Sequence, residues 1–158
     1  MRRHTSTRRS GFSLLEVVIV VAIIAILAAI GIPRMSRGAR GASDSALNGD
    51  LSTLRNAIDL YAAEHAGAYP TATDCNNQLT RYTNLGGTVN ATKTTEYIYG
   101  PYVRTIPPLP VGAKKGMSGI STATGARIGW VYDATEGKIK ANTTDTELDE
   151  AGKQYNLY

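Results

Sequence analysis

The sequence predicts an α+β protein in which one long N-terminal helix, apolar in its first half, packs against a small antiparallel β-sheet head. Three features point to it. Phe12–Ile32, FSLLEVVIVVAIIAILAAIGI, is a run of 21 residues with one charge, Glu16. Leu47, Leu51, Leu54, Ile58 and Tyr61 then recur at helical spacing and form an apolar stripe on one face. Near the other end, Ile128, Trp130 and Tyr132 alternate with Gly129 and Val131, turn signals follow, and Lys138–Ala141 returns, which predicts a β-hairpin. At 158 residues the chain is the size of one domain. Its expected organisation is a basic leader (1–11), an apolar helix (12–33), a continuation of that helix (34–66) and a loop-rich head (67–158).

The leader, MRRHTSTRRSG, is basic and polar. The net charge is +4, and four of the 17 basic residues, Arg2, Arg3, Arg8 and Arg9, lie in a leader with no acid. The other 13 are matched by 13 acidic residues. The basic excess thus belongs to the leader, and nucleic acid is not an expected partner. As a helix, the apolar run is roughly 31 Å long, about the thickness of a bilayer's hydrocarbon core. Its β-branched residues are no obstacle, because a single segment in lipid bonds all its backbone groups only as a helix. The leader arginines place the N-terminus in the cytoplasm and the head outside. Arg34, Arg37 and Arg40 lie close together on the far side and reduce that asymmetry.

Three plainer readings of this run stand beside membrane-embedded assembly. A cleaved secretory signal has a shorter apolar core, about 7–15 residues, although Ala25–Ala29 offers small residues near a cut. A simple signal anchor also fits the length. A buried soluble helix lacks enough other apolar segments to surround it. Glu16 separates these from the sharper reading. A carboxylate within a span costs about 2.5–3.5 kcal/mol at the helix centre, less near an end, and a simple anchor has no use for it. A positive group on a neighbouring copy, such as a newly exposed amine at Phe12, would offset the charge.

Gly11-Phe12-Ser13-Leu14-Leu15-Glu16, with the apolar run that ends at Pro33, resembles the class III signal of type IV prepilins and pseudopilins. The resemblance covers about 25 residues, and implies a pilin-like fold. It implies that a prepilin peptidase cuts between Gly11 and Phe12, that Phe12 is N-methylated, and that Glu16 is the assembly carboxylate. Pro33 falls where many members of this group place a helix-bending proline, and it is expected to kink the helix or melt it locally rather than end it.

Beyond Gly38–Gly41 the apolar stripe continues the helix, with Asp44, Asp50, Arg55, Asp59 and Glu64 mostly off it. The stripe is too short for a coiled-coil seam and is expected to carry the head. Gly67 and Pro70 are the expected stop signals. Leu54–Pro70, LRNAIDLYAAEHAGAYP, is similar to the helix end and Gly-x-Tyr-Pro turn of major pseudopilins of type II secretion systems, through Tyr61, Gly67, Tyr69 and Pro70.

In the head, residues 71–96 are expected to be loop, with a turn at Gly86-Gly87 and a short helix around Asn76–Tyr82. Thr95–Val103 has strand-like composition, limited by Gly100-Pro101. Pro107, Pro108 and Pro110 impose an extended segment, and Lys114–Gly125 is expected to be a loop.

Catalytic chemistry is not expected. The two histidines, His4 and His65, make no triad, and Asp133 and Glu136 fit a turn better than an acid/base pair. Asn90 and Asn142 begin common glycosylation-like triplets. The one cysteine, Cys75, has no intrachain partner and is expected to be buried. No cofactor is expected. Calcium in the head is the one ligand to weigh, since Asp145, Glu147, Asp149 and Glu150 supply hard oxygens. Major pseudopilins commonly bind calcium in a C-terminal loop, but their Asp-Pro-Trp-Gly-like segment is missing here, so no ligand is assigned.

The resemblance implies a structural subunit of a type II secretion pseudopilus, with the head in the periplasm and the helix in the bacterial inner membrane. Its implied partners are the prepilin peptidase, further copies of itself in a fibre, minor pseudopilins, membrane lipid and, indirectly, an inner-membrane platform protein and an assembly ATPase. A type IV pilus or DNA-uptake pilin is the alternative within the same class. A monomeric membrane-anchored binding protein is the alternative from another class.

Overall fold

The structure, a computed structural model, describes residues 12–158, and for residues 31–37 it describes the backbone without the side chains. Helix α1 runs over Leu14–Glu64. Helix α2 is Cys75–Thr80, and the strands are β1 Tyr82–Thr83, β2 Val89–Asn90, β3 Gly119–Ser121, β4 Ile128–Asp133 and β5 Lys138–Ala141. A 3-10 turn at Tyr155–Leu157 completes the order. The arrangement is α+β and pilin-like. The chain divides into two compact units between Ala39 and Arg40.

The core of the second unit forms on the predicted stripe. Leu47, Leu51, Leu54, Ile58 and Tyr61 are all buried, while Ser52, Thr53, Asn56 and Asp59 are exposed. Across from the stripe, β4 and β5 pair antiparallel, with Trp130 opposite Ala141 and Tyr132 opposite Ile139. These four side chains are buried on one face, and Lys138 and Lys140 stay exposed on the other. Strand alternation therefore delivers an apolar face to the helix stripe, and Leu79, Val103, Ile106, Leu109 and Val111 fill the rest of the core. Buried polar tips are satisfied: Trp130 Nε1 donates to Pro107 O (2.8 Å) and the Tyr132 hydroxyl donates to Pro70 O (2.9 Å).

Helix α1 stops close to the predicted site, by a different residue. The Gly67 amide donates to Ala62 O at 2.8 Å, the long bond of a Schellman-type end. The left-handed position before it is held by Ala66 (φ 55°), with Gly67 also at positive φ.

Two loop expectations and one strand expectation differ in the structure. The Lys114–Gly125 loop contains β3, which runs parallel to β4, so the larger sheet is mixed. Parallel neighbours usually need a connection of a dozen or more residues. Here residues 122–127 suffice, because β3 advances only about 10 Å and six residues can span about 20 Å. Gly129 permits the close approach: a β-carbon there would lie 2.0 Å from Met117 O. Second, the 71–96 region contains the antiparallel pair β1–β2 around the expected Gly86-Gly87 turn. Third, strand-like Thr95–Val103 yields only one bridge, Thr83 to Tyr99. Gly100 (φ 70°) and Pro101 end the pairing there. The predicted short helix is found as α2.

Candidate functional site at the N-terminal segment

The chemistry-bearing segment opens with Phe12 and Ser13 ahead of α1. The Val17 amide donates to Ser13 O at 3.2 Å, which puts Ser13 at the helix N-cap. Glu16 then occupies the third helical position, so Ser13-Leu14-Leu15-Glu16 has capping-box spacing. A carboxylate in the first turn is favoured by the positive end of the helix dipole. Sequence reasoning gave Glu16 one role and missed this second one, although Ser13 three residues before a glutamate was the available signal.

Behind that turn the segment is apolar on every side. Phe12 is 83% exposed and Leu14 82%, and Leu15, Val17, Val18, Ile19, Val20, Val21, Ile23, Ile24, Ile26, Leu27 and Ile30 are all exposed. Full burial of each such aliphatic side chain is worth about 1.5–3 kcal/mol. A helix apolar all round is stable only where lipid or other protein surrounds it. Among the described residues, no helix is long and apolar enough to cross a membrane.

Of the predicted site residues, Phe12 lies just ahead of α1 and Glu16 in its first turn, both exposed. Gly11, on the other side of the predicted cut, lies outside the described residues. The predicted kink at Pro33 falls within the helical span of α1, in the stretch whose side chains are not described.

The remaining chemical candidates have structural partners. Asp133 accepts from Thr135 N (2.8 Å) and Thr135 Oγ1 (2.6 Å), which holds its carboxyl below the usual range. Glu136 pairs with Lys138 at 2.6 Å. Asp133 ends β4 and Glu136 lies in the turn to β5, both on an open groove of about 970 Å³ that also takes in Arg55 and Asp59. His65 is buried, stacked on Tyr61 with ring centroids 3.8 Å apart. Its ring nitrogens face Tyr61 O (2.8 Å) and Asn84 O (3.0 Å), so it ties the end of α1 to the segment after β1. Cys75 is buried and free, and burial pushes its thiol up to about 12. Asn142 is buried too and donates to Ile128 O at 2.7 Å, which makes it unsuitable as a glycan acceptor. Among the described residues, no three His, Cys, Asp or Glu side chains are grouped to hold a metal ion.

Residues 6–32 match the family model of the prokaryotic N-terminal methylation motif. No curated protein matches the chain, and no solved structure does. The motif's family is structural rather than catalytic, and the motif implies processing by a prepilin peptidase and assembly into a fibre. The match takes in the end of the leader from Ser6, the Gly11/Phe12 junction, the Ser13–Glu16 turn and the apolar run. The N-terminal segment therefore carries the methylation motif of type IV prepilin-like proteins.

Proposed function

We propose that this chain is a structural subunit of a type II secretion pseudopilus. The observation that carries the fibre reading is the unpartnered apolar segment from Phe12 to Ile30, with a carboxylate in its first turn and a matched methylation motif across it. The precursor resides in the inner membrane with its head in the periplasm. Cleavage after Gly11 leaves an amine on Phe12, which becomes N-methylated. Glu16 of one copy then offsets the charged amine of a neighbour while the apolar helices pack together. Minor pseudopilins, a platform protein and a cytoplasmic ATPase would complete the assembly, with growth of the fibre driving export.

The turn after α1 supports the secretion branch over a surface pilus. Pro70 is buried and accepts from Tyr132, and the Tyr69 ring lies against Gly137 of the β4–β5 turn. The Gly-x-Tyr-Pro segment thus anchors the hairpin onto the helix end. The single buried Cys75 also leaves no cysteine pair to close the C-terminal region, as many long-pilus subunits do.

Mass spectrometry of the membrane-extracted chain, from cells containing the matching peptidase, should find an N-methylated Phe12 at the N-terminus. Retention of residues 1–11, or a cut near Ala28, would overturn the fibre reading and favour an anchored or secreted domain. Deleting the gene should abolish protein export. Intact export with loss of surface fibres would identify a pilus or DNA-uptake subunit instead.

A further inference from the structure

The four carboxylates near the C-terminus do not converge. Glu147 accepts the Ala113 amide through Oε1, and through Oε2 the Thr144 amide (2.8 Å) and Thr144 hydroxyl (3.2 Å). Asp149 accepts the Ala151 and Lys153 amides through Oδ1, both at 2.8 Å, and the Tyr158 hydroxyl through Oδ2. Asp145 accepts Asn156 Nδ2 at 2.7 Å. The segment is fastened to α1 through Asp44, whose Oδ1 accepts the Tyr155 hydroxyl (2.7 Å) and whose Oδ2 accepts the Glu150 amide (3.3 Å). Arg55 of α1 donates to Tyr158 O at 2.6 Å. A positive group is already present, because Lys153 Nζ lies 3.7 Å above the Tyr158 ring.

Calcium takes six to eight oxygens converging at 2.3–2.6 Å. Here Asp145, Glu147 and Asp149 each face their own N–H or O–H donors, and a cation drawing those oxygens together would leave the donors without acceptors. The residues do not fit the calcium loop that the pseudopilin resemblance suggests. We propose that Thr143–Tyr158 is a cation-independent clasp, closed on α1 by the Tyr155 hydroxyl, the Glu150 amide and the Arg55 guanidinium in place of a divalent ion. The same hydrogen bonds hold Glu147 and Asp149 below the usual carboxylate range, so both are ionised at neutral pH without a metal. The inference concerns how the head folds and stands whether or not the chain forms a secretion fibre.

The test is the thermal midpoint of the full chain in detergent, with millimolar calcium chloride and with excess EGTA. The two midpoints should agree within about 1 °C, whereas calcium at a hundredfold its Kd would raise the midpoint by on the order of 10 °C. Tyr155→Phe should lower the midpoint by a few degrees, equally with and without calcium. A calcium-dependent rise in the unaltered chain, or a Tyr155→Phe midpoint that does not fall, would overturn the proposal. If Tyr155→Phe fails to accumulate, Tyr158→Phe removes only the Asp149 contact and should show the same calcium-indifferent decrease.

Discussion

Ala66 holds a left-handed φ of 55° with a β-carbon, a conformation that costs L-residues roughly 1–2 kcal/mol. Ala66→Gly removes that cost and returns part of it as extra freedom in the unfolded chain, so a net stabilisation of about 0.5–1 kcal/mol is expected. Chemical denaturation should show a higher midpoint with an unchanged slope. Gly129 is the opposite case. A β-carbon 2.0 Å from Met117 O meets main chain rather than a movable side chain, so Gly129→Ala should cost about 3 kcal/mol or more by the same measurement. Sequence alone placed a stop at Gly67 because glycine is the usual left-handed residue. It could not show that the geometry begins one residue earlier, nor that Gly129 sits beneath a crossing chain. At Glu16 the charge in an apolar run was legible, and the Ser13 spacing also signalled its capping position, which the placement of Ser13 at the head of the helix makes plain.

Elements with strong periodicity were legible and short ones were not. The Leu47–Tyr61 stripe and the β4–β5 hairpin carry their burial pattern in their spacing, and both are found where that spacing puts them. Strand β3 has three residues and its partner lies across a parallel, irregular register, so no local pattern announces it. In Thr95–Val103, composition favoured a strand and the Gly100-Pro101 backbone allowed only a bridge. Helix α1 also contains a position that propensity alone should improve. Gly49 is exposed in the helix interior, and a β-carbon added there would meet no heavy atom within 4 Å. Gly49→Ala should therefore stabilise the head by about 0.5–1 kcal/mol, read as a rise in thermal midpoint.

For the molecule as a whole, acid should act through carboxylates that accept several hydrogen bonds. Asp133, Glu147 and Asp149 are each lowered from ordinary values of 3.8, 4.5 and 3.8. The folded state then binds fewer protons than the unfolded state around those values, so stability rises with pH there. Their contribution is complete above pH 4.5 and is lost as pH falls through the lower folded values. Asp50 is raised by burial and opposes this trend. A midpoint that falls steadily on acidification below pH 4.5 is expected, and a flat profile would contradict the assignment of these acceptors. If Glu16 pairs with a neighbour's amine as proposed, breaking that ion pair costs about 3–5 kcal/mol, so Glu16→Gln should leave membrane insertion intact and reduce fibre yield by about a hundredfold or more. Immunoblots of sheared fibres against the membrane fraction would measure both.

Every side chain of the head core, from Leu47 to Tyr155, lies after Arg40. Water thus sets the folding of one unit, while residues 12–30 have their stability decided by whatever apolar medium receives them. This gives genetics a sorting rule. A lesion in the apolar run should produce a phenotype with the melting temperature of the head unchanged, and a lesion in the core should lower both together. It also marks a place to cut: a chain begun at Arg40 keeps the whole core and discards the surface that demands detergent, making it the natural form for crystals and antibodies.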